Sequence, residues 1–141
     1  MDCRNLFIGM RVLSLTAVQL KQMIAHVDSQ LPLEACGLLA GHGSSVASVL
    51  MVTNQAQSPV RFVMDPIEQL KAFEWINSQG LELVGIFHSH PAGPETVSLT
   101  DIADCAYAAA NVILAHADGK WRARAFWIEG DNYEEIALQI E

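Results

Sequence analysis

The most constraining feature of this sequence is a pair of histidines at the end of an apolar run. Residues 83–87 have the length and β-favouring composition of a buried strand, and His88 and His90 follow directly. Side chains two residues apart on a strand face the same side, about 6.6 Å apart along its axis. Pro91 lacks a backbone donor and favours the end of the strand there. The two imidazoles are therefore placed to bind one metal ion at the C-terminal end of a strand, where α/β sheets usually hold their ligands.

A carboxylate completes the candidate metal site. Asp101 lies eleven residues after His90, and Ser98 stands three residues before Asp101 as the N-cap of a predicted helix. Two histidines and one carboxylate form a common open zinc site, in which water takes the fourth position. The sequence therefore predicts one zinc ion per chain, bound by His88, His90 and Asp101. Cys105, four residues after Asp101, could instead close a structural site, but we favour the open one.

Each of these features also has a simpler explanation. Two histidines with one residue between them occur by chance in many strands. Ser98 with Asp101 is a helix capping box with or without a metal, and both roles are compatible. Glu34, at the entrance of a predicted strand, would by itself be a surface acid.

Hydrophobic periodicity and turn signals predict an α/β (α+β) fold, a mixed sheet flanked by two or three helices. The predicted strands cover residues 12–15, 36–40, 46–53, 61–64, 83–90, 111–115, 123–128 and 133–140. Helices are predicted to begin after the N-cap residues Thr16, Asp65 and Ser98. The second helix is predicted to bury Ile67, Leu70, Phe73 and Ile76. The third is predicted to bury Ile102, Cys105, Ala106 and Ala109.

Length and composition restrict the class of protein. The 141 residues, 51% of them hydrophobic, suit one domain, which we place at residues 10–141 behind an N-terminal extension of residues 1–9. A net charge of -8 argues against a nucleic-acid partner. We expect no membrane association and a cytoplasmic location, because no apolar run approaches about 20 residues and the N-terminus lacks signal-peptide features. Three widely spaced cysteines fit reduced thiols.

The combined motif resembles the signature of the JAMM (MPN-plus) metalloproteases. That signature runs Glu, then His-x-His, seven residues, Ser, two residues, Asp. The matching residues here are Glu34, His88, His90, Ser98 and Asp101, with the same two spacings after His90. The resemblance extends over nearly all of the chain from Met10 onward and is strongest to the small stand-alone bacterial and archaeal members. It implies an MPN/JAMM fold, which is similar to the fold of the cytidine deaminases.

The resemblance implies a zinc-dependent hydrolase of peptide or isopeptide bonds. Its substrate would be the C-terminal tail of a ubiquitin-like or sulfur-carrier (β-grasp) protein. Glu34 would take the proton of the attacking water, and the Ser98 hydroxyl would stabilise the oxyanion. Ser89 faces away from its histidine neighbours and would orient or pack against them. The chain lacks the insertions with which the eukaryotic members bind ubiquitin chains. We also consider that the protein forms a homodimer.

Two other classes of protein are compared with the hydrolase. Non-catalytic MPN-type scaffolds usually lack part of the metal set, whereas this chain lacks none of it. Zinc-dependent deaminases need His-x-Glu and Pro-Cys-x-x-Cys, and neither is present. We therefore expect the hydrolase, with the scaffold as the alternative.

Overall fold

The computed structural model describes residues 11–141, in which seven strands form one mixed sheet. The strands are β1 Val12–Leu15, β2 Cys36–His42, β3 Ser45–Val52, β4 Glu82–His90, β5 Ala110–Ala117, β6 Lys120–Glu129 and β7 Asn132–Ile140. The helices are α1 Ala17–Ser29, α2 Pro66–Ser78 and α3 Leu99–Asp104. The predicted mixed sheet with its helices is thus confirmed. The predicted extension at residues 1–9 lies outside the described residues.

The sheet closes on itself in the order β1-β3-β2-β4-β5-β6-β7. Three strand pairs are parallel: β1 with β3, β1 with β7, and β4 with β5. The strand that carries the histidines, β4, lies between β2 and β5 and is paired on both sides, with His88 beside Cys36 and Ile113. Because both neighbours fix its register, the directions of the two histidine side chains are fixed as well.

Helix α1 closes one face of the barrel. Thr16 forms the predicted capping box with Gln19, and Met23 and Val27 are fully buried against the core. Phe87, on the opposite face of β4 from the histidines, is among the largest fully buried side chains of that core. None of the helices within residues 11–141 is long and apolar enough to cross a membrane.

The prediction of a strand at residues 61–64 is wrong. This segment contributes one isolated bridge, between Asn54 and Met64. Further hydrogen bonds of its backbone go to a side chain, because the amide of Asn54 binds Val63 N and Arg61 O. The β-favouring residues of the segment therefore form a loop beside the sheet.

The predicted inner face of α2 is correct only for its second half. Ile76 is buried and Phe73 packs against the core, but Ile67 and Leu70 are 67% and 59% exposed. Their prediction as core residues is wrong, because the first turn of α2 meets its neighbours through Glu68, which accepts a hydrogen bond from Thr53 N, and Gln69, which donates to Tyr107 Oη. Helix α3 is also shorter than predicted. It ends at Asp104, so Ala106 and Ala109 lie outside it, although Ala109 is buried.

Gly37 of β2 leaves no room for a side chain. A Cβ at this position would overlap the ring of Phe87 and the main-chain oxygen of Leu50. We expect Gly37→Ala to lower the free energy of unfolding by about 3 kcal/mol, because over-packing forces backbone shifts. Gly85→Ala is the control, since the nearest atom to its Cβ would be Leu39 Cδ1 at 3.0 Å, a much smaller overlap. Urea unfolding measures both, and equal losses would contradict the packing described.

Candidate active site

The two histidines meet at the C-terminal end of β4, as predicted. His88 and His90 are both buried, and their Nε2 atoms lie 3.1 Å apart. The strand ends at His90, directly before Pro91. The spacing of two residues along a strand has therefore brought both ring nitrogens to one point.

Asp101 reaches the same point from the first turn of α3. Its Oδ1 lies 3.0 Å from His88 Nε2, and its Oδ2 lies 3.1 Å from His90 Nε2. Ser98 caps this helix: Ser98 N donates to Asp101 Oδ2 at 2.9 Å, and Asp101 N donates to Ser98 Oγ at 3.0 Å. The capping box thus orients the carboxylate that contacts both histidines.

Glu34 joins these residues from the segment that precedes β2. It is only 4% exposed, and its Oε1 has no hydrogen-bond partner among residues 11–141. A carboxylate oxygen of Glu34 and one ring nitrogen each of His88 and His90 lie within 4.8 Å of one another. Glu34 is therefore a buried member of the cluster and not a surface acid. All five residues singled out in the sequence come together here.

Neighbouring groups hold the cluster in place. His90 Nδ1 contacts the carbonyl oxygen of Pro94 at 2.7 Å, which fixes the ring's tautomer. Ser89 Oγ accepts a hydrogen bond from Ala35 N at 2.8 Å, so the residue between the histidines ties β4 to the residue after Glu34. The predicted orienting role of Ser89 is consistent with this contact.

The pKa values of the two carboxylates, Glu34 and Asp101, are shifted in opposite directions. Burial raises the pKa of Glu34 to about 7; His90 opposes this shift and Asp101 adds to it. Burial would also raise the pKa of Asp101, but hydrogen bonds with His88 and His90 outweigh it and hold that pKa well below its usual range. Burial lowers the pKa of His88, which favours its neutral ring. One carboxylate thus stays ionised while the other is poised near neutral pH.

The donor atoms fit a metal ion. Since His90 Nδ1–H is committed to Pro94 O, a neutral ring directs the lone pair of Nε2 toward His88 Nε2 and Asp101. Lone pairs that face each other at 3.0 to 3.1 Å repel unless a proton or cation lies among them. Imidazole nitrogens with a carboxylate are a donor set that zinc prefers. The residues present therefore form a group suited to metal binding.

Known proteins share this sequence pattern. A family model described as prokaryotic homologs of the JAB domain matches residues 16–129. The chain belongs to this family. The chain is 36% identical over 120 residues to the desampylase of Pyrococcus furiosus, an alignment that covers 84% of each chain. It is also 36% identical over 123 residues to the probable TtuB-protein conjugate cleaving protease of Thermus thermophilus, with 86% of this chain and 78% of that protein covered.

Solved structures have the same fold as this chain. Protein DSY2949 from Desulfitobacterium hafniense superposes with a TM-score of 0.82 at 34% identity and 93% coverage of each chain. The JAB1/MPN domain protein AF2198 from Archaeoglobus fulgidus superposes with a TM-score of 0.61 at 16% identity, with 94% of this chain and 99% of that one covered. The predicted MPN/JAMM fold and the resemblance to the small prokaryotic members are thus confirmed.

Cys105 lies apart from the candidate metal ligands. It is the C-cap residue of α3, so the helical spacing that would align it with Asp101 ends there. Its Sγ lies 3.8 Å from the carbonyl oxygen of Tyr107. The geometry therefore favours the open site over one closed by a thiolate.

A cavity of about 350 Å³ opens beside His88 and Asp101. Its walls come from the loop before α2, from α2 itself, and from the segment that follows α3. Two contacts join these walls: Arg61 Nε lies 3.3 Å from Asp104 Oδ2, and Gln69 Nε2 donates to Tyr107 Oη at 3.2 Å. His88 and Asp101 of the candidate site are thus reached from a partly apolar cleft.

Proposed function

We propose that this protein is a zinc-dependent hydrolase of peptide or isopeptide bonds. The observation that carries this proposal is the convergence of His88, His90 and Asp101 with the buried carboxylate of Glu34, next to a cavity that His88 and Asp101 line. A scaffold would have no use for an ionisable side chain buried without a partner, since burying such a group is costly. The names of the two relatives support a hydrolytic function.

His88, His90 and Asp101 would hold one zinc ion. Zinc bound there lowers the pKa of a water molecule to about 7 and polarises a carbonyl group. The chain's own contribution is orientation: Pro94 fixes the ring of His90, and the Ser98 capping box fixes the carboxylate of Asp101. Removing such a contact typically lowers metal affinity or activity by about 10- to 100-fold, which corresponds to about 1 to 3 kcal/mol.

Glu34 would carry the proton. A carboxyl group with a pKa of about 7 can accept a proton from the attacking water and return it to the leaving amine at neutral pH. The nitrogen then departs as a neutral amine, while the acyl carbon keeps the oxygen and the second proton of the water as a carboxylic acid, and transfer of that proton gives the carboxylate and ammonium products at neutral pH.

Ser98 would stabilise the oxyanion that develops on the substrate carbonyl. Its Oγ accepts a hydrogen bond from Asp101 N, which leaves the hydroxyl proton able to donate elsewhere. A hydroxyl held in this way by a helix cap needs little reorganisation during the reaction. The same side chain would therefore serve the helix and the reaction.

Ser98→Ala should lower kcat by about 10²- to 10³-fold, the usual cost of removing one oxyanion donor. It should also cost about 1 kcal/mol of stability through the lost cap. Thr16→Ala is the matched control, because it removes the same kind of capping box from α1, away from the site. Steady-state kinetics and urea unfolding of both variants separate the two effects. A kcat for Ser98→Ala no lower than that of Thr16→Ala would contradict the role.

The substrate would be the extended C-terminal tail of a ubiquitin-like or sulfur-carrier (β-grasp) protein. The bond cleaved would join that tail to a protein lysine or to a small amino acid such as cysteine. A sheet-based site can bind an extended tail by strand addition, largely through backbone hydrogen bonds. The names of the two relatives, desampylase and TtuB-conjugate cleaving protease, support this substrate class. Since residues 91–97 form only a short loop, we expect weak activity on ubiquitin chains.

The test is a cleavage assay with two substrates. An amide-linked conjugate of a β-grasp carrier is compared with ubiquitin chains of defined linkage, and Glu34→Gln serves as the inactive control. Faster cleavage of the carrier conjugate is the expected result. Efficient, linkage-selective cleavage of ubiquitin chains with no action on the carrier conjugate would overturn the substrate while leaving the hydrolase in place.

Three further expectations stay predictions. They are the homodimer, the cytoplasmic location, and the single domain over residues 10–141. Light scattering of the purified protein measures the first directly.

A further inference from the structure

Asn54 stands directly beyond β3 and is only 9% exposed. Its side-chain amide makes four hydrogen bonds. Nδ2 donates to Glu34 O at 2.8 Å and to Arg61 O at 3.0 Å. Oδ1 accepts from Ala56 N at 3.0 Å and from Val63 N at 2.9 Å. A side-chain amide has two donors and two acceptor lone pairs, so every hydrogen-bonding position of this group is used.

The four partners allow one orientation of the Asn54 amide. Both atoms facing Nδ2 are carbonyl oxygens, and both groups facing Oδ1 are N–H donors. Rotating the amide by 180° would set donors against donors and acceptors against acceptors. The side chain is therefore locked, and it locks the main-chain segments on either side of it.

These contacts attach Glu34 to the loop that follows Asn54. We call residues 55–63 the Asn54 loop. Asn54 binds the carbonyl oxygen of Glu34, and Glu34 N donates to the carbonyl oxygen of Ser58 in the same loop at 2.9 Å. Both main-chain polar groups of Glu34 are thus bound by Asn54 or by its loop. The loop also carries Phe62, whose ring stacks on His88 with centroids 4.6 Å apart and planes at 26°.

We propose that Asn54 is a positioning residue for the reaction, which rests on the proposed role of Glu34 as proton carrier. It fixes the main chain of Glu34 and the loop that carries Phe62 relative to the histidines. Proton transfer depends steeply on the distance between heavy atoms, and a displacement of about 1 Å can cost on the order of 10² in rate. Asn54 therefore acts through Glu34 without touching the substrate.

Two substitutions separate the contacts of Asn54. Asn54→Ala removes all four hydrogen bonds. Asn54→Asp keeps the two that Ala56 N and Val63 N donate, but it turns a carboxylate oxygen toward the carbonyls of Glu34 and Arg61. We expect kcat to fall by about 10- to 100-fold in both variants, while the zinc content stays unchanged. Because Asn54→Asp keeps two of the three contacts with the loop, it remains testable if Asn54→Ala does not fold.

The control for stability is Ile136→Ala. It removes a buried side chain from β7, far from Glu34 in the sheet order, and should cost about 2 to 5 kcal/mol. If loss of stability alone lowered kcat, this variant would lose activity to the same extent as Asn54→Ala. We expect its kcat at 25 °C to stay within about twofold of wild type while it remains folded.

A double-mutant cycle tests whether Asn54 acts through Glu34. In a Glu34→Gln background, adding Asn54→Asp should change the residual kcat by less than about twofold, because the group that it positions no longer carries a proton. A full 10- to 100-fold further loss in that background would overturn the proposal. An unchanged kcat for Asn54→Asp in the wild-type background would overturn it as well.

Amide hydrogen exchange tests the proposal without any substrate. The amide of Glu34, bound to Ser58 O, should exchange slowly in the wild type and at least tenfold faster in Asn54→Asp, while those of Ala56 and Val63 stay protected. Equal protection of the Glu34 amide in both proteins would overturn the proposal. If the wild type cleaves no conjugate, the proposed function fails, and the exchange rates alone decide whether Asn54 holds Glu34.

Discussion

Glu34→Gln should leave the protein folded and able to bind zinc, yet lower kcat by about 10³-fold. General acid–base catalysis typically contributes 10²- to 10⁴-fold, and glutamine has the shape of glutamate without its ability to take up a proton. The substitution also keeps the main-chain contacts of residue 34 with Asn54 and Ser58. The loss should therefore appear in kcat, with little change in KM, in a cleavage assay on a carrier conjugate.

The matched control is Glu135→Gln, which changes an exposed glutamate paired with Arg124 on neighbouring strands. Exposed ion pairs contribute little to stability because solvent screens them, so both kcat and the zinc content should be those of the wild type. A Glu34→Gln protein with near-normal kcat would refute the proton-carrying role. A Glu34→Gln protein that no longer binds zinc would instead make Glu34 a ligand.

His88→Ala and Asp101→Ala should each abolish stable zinc binding and, with it, turnover. Each variant leaves two of the three proposed ligands, and the contacts of Asp101 to both histidines make it the residue that links them. Metal analysis of protein purified without added zinc should give about one zinc per wild-type chain and well below one in either variant. His42→Ala, at an exposed histidine outside the cluster, should keep the wild-type ratio.

Unchanged zinc content in both His88→Ala and Asp101→Ala would contradict the ligand set. Loss of zinc in His42→Ala would point to binding at surface histidines instead. Circular dichroism of each variant confirms that the fold is retained, because a metal site lost through unfolding would say nothing about ligands.

The convergence of the two histidines and Asp101 could be predicted from the sequence because its geometry is mostly local. Two residues along a strand bring His88 and His90 to one face, and a capping box three residues long orients Asp101. Glu34 is different. It reaches the histidines through the pairing of β2 with β4, where Cys36 lies beside His88. No spacing in the sequence encodes that pairing, so Glu34 was identified through the family resemblance.

Asn54 was missed because its partners form no local pattern. A single asparagine after a strand usually indicates a turn, and the partners of this amide range from Glu34 to Val63. Ile67 and Leu70 were misplaced for a related reason. Helical spacing assigns the apolar face of a helix to the core, whereas the first turn of α2 meets its neighbours through hydrogen bonds of Glu68 and Gln69. Closure of the sheet between β1 and β7 likewise joins residues more than 120 positions apart, such as Val12 and Ala137.

The most direct test of the account is the rate of conjugate cleavage as a function of bound metal. Purified wild-type protein is assayed on an amide-linked carrier conjugate as isolated, after chelation and dialysis, and after titration with zinc. We predict that chelation abolishes cleavage and that about one equivalent of zinc per chain restores it in the wild type, but not in Asp101→Ala. Cleavage that survives chelation, or that zinc restores equally in Asp101→Ala, would contradict a zinc-dependent hydrolase built on His88, His90 and Asp101.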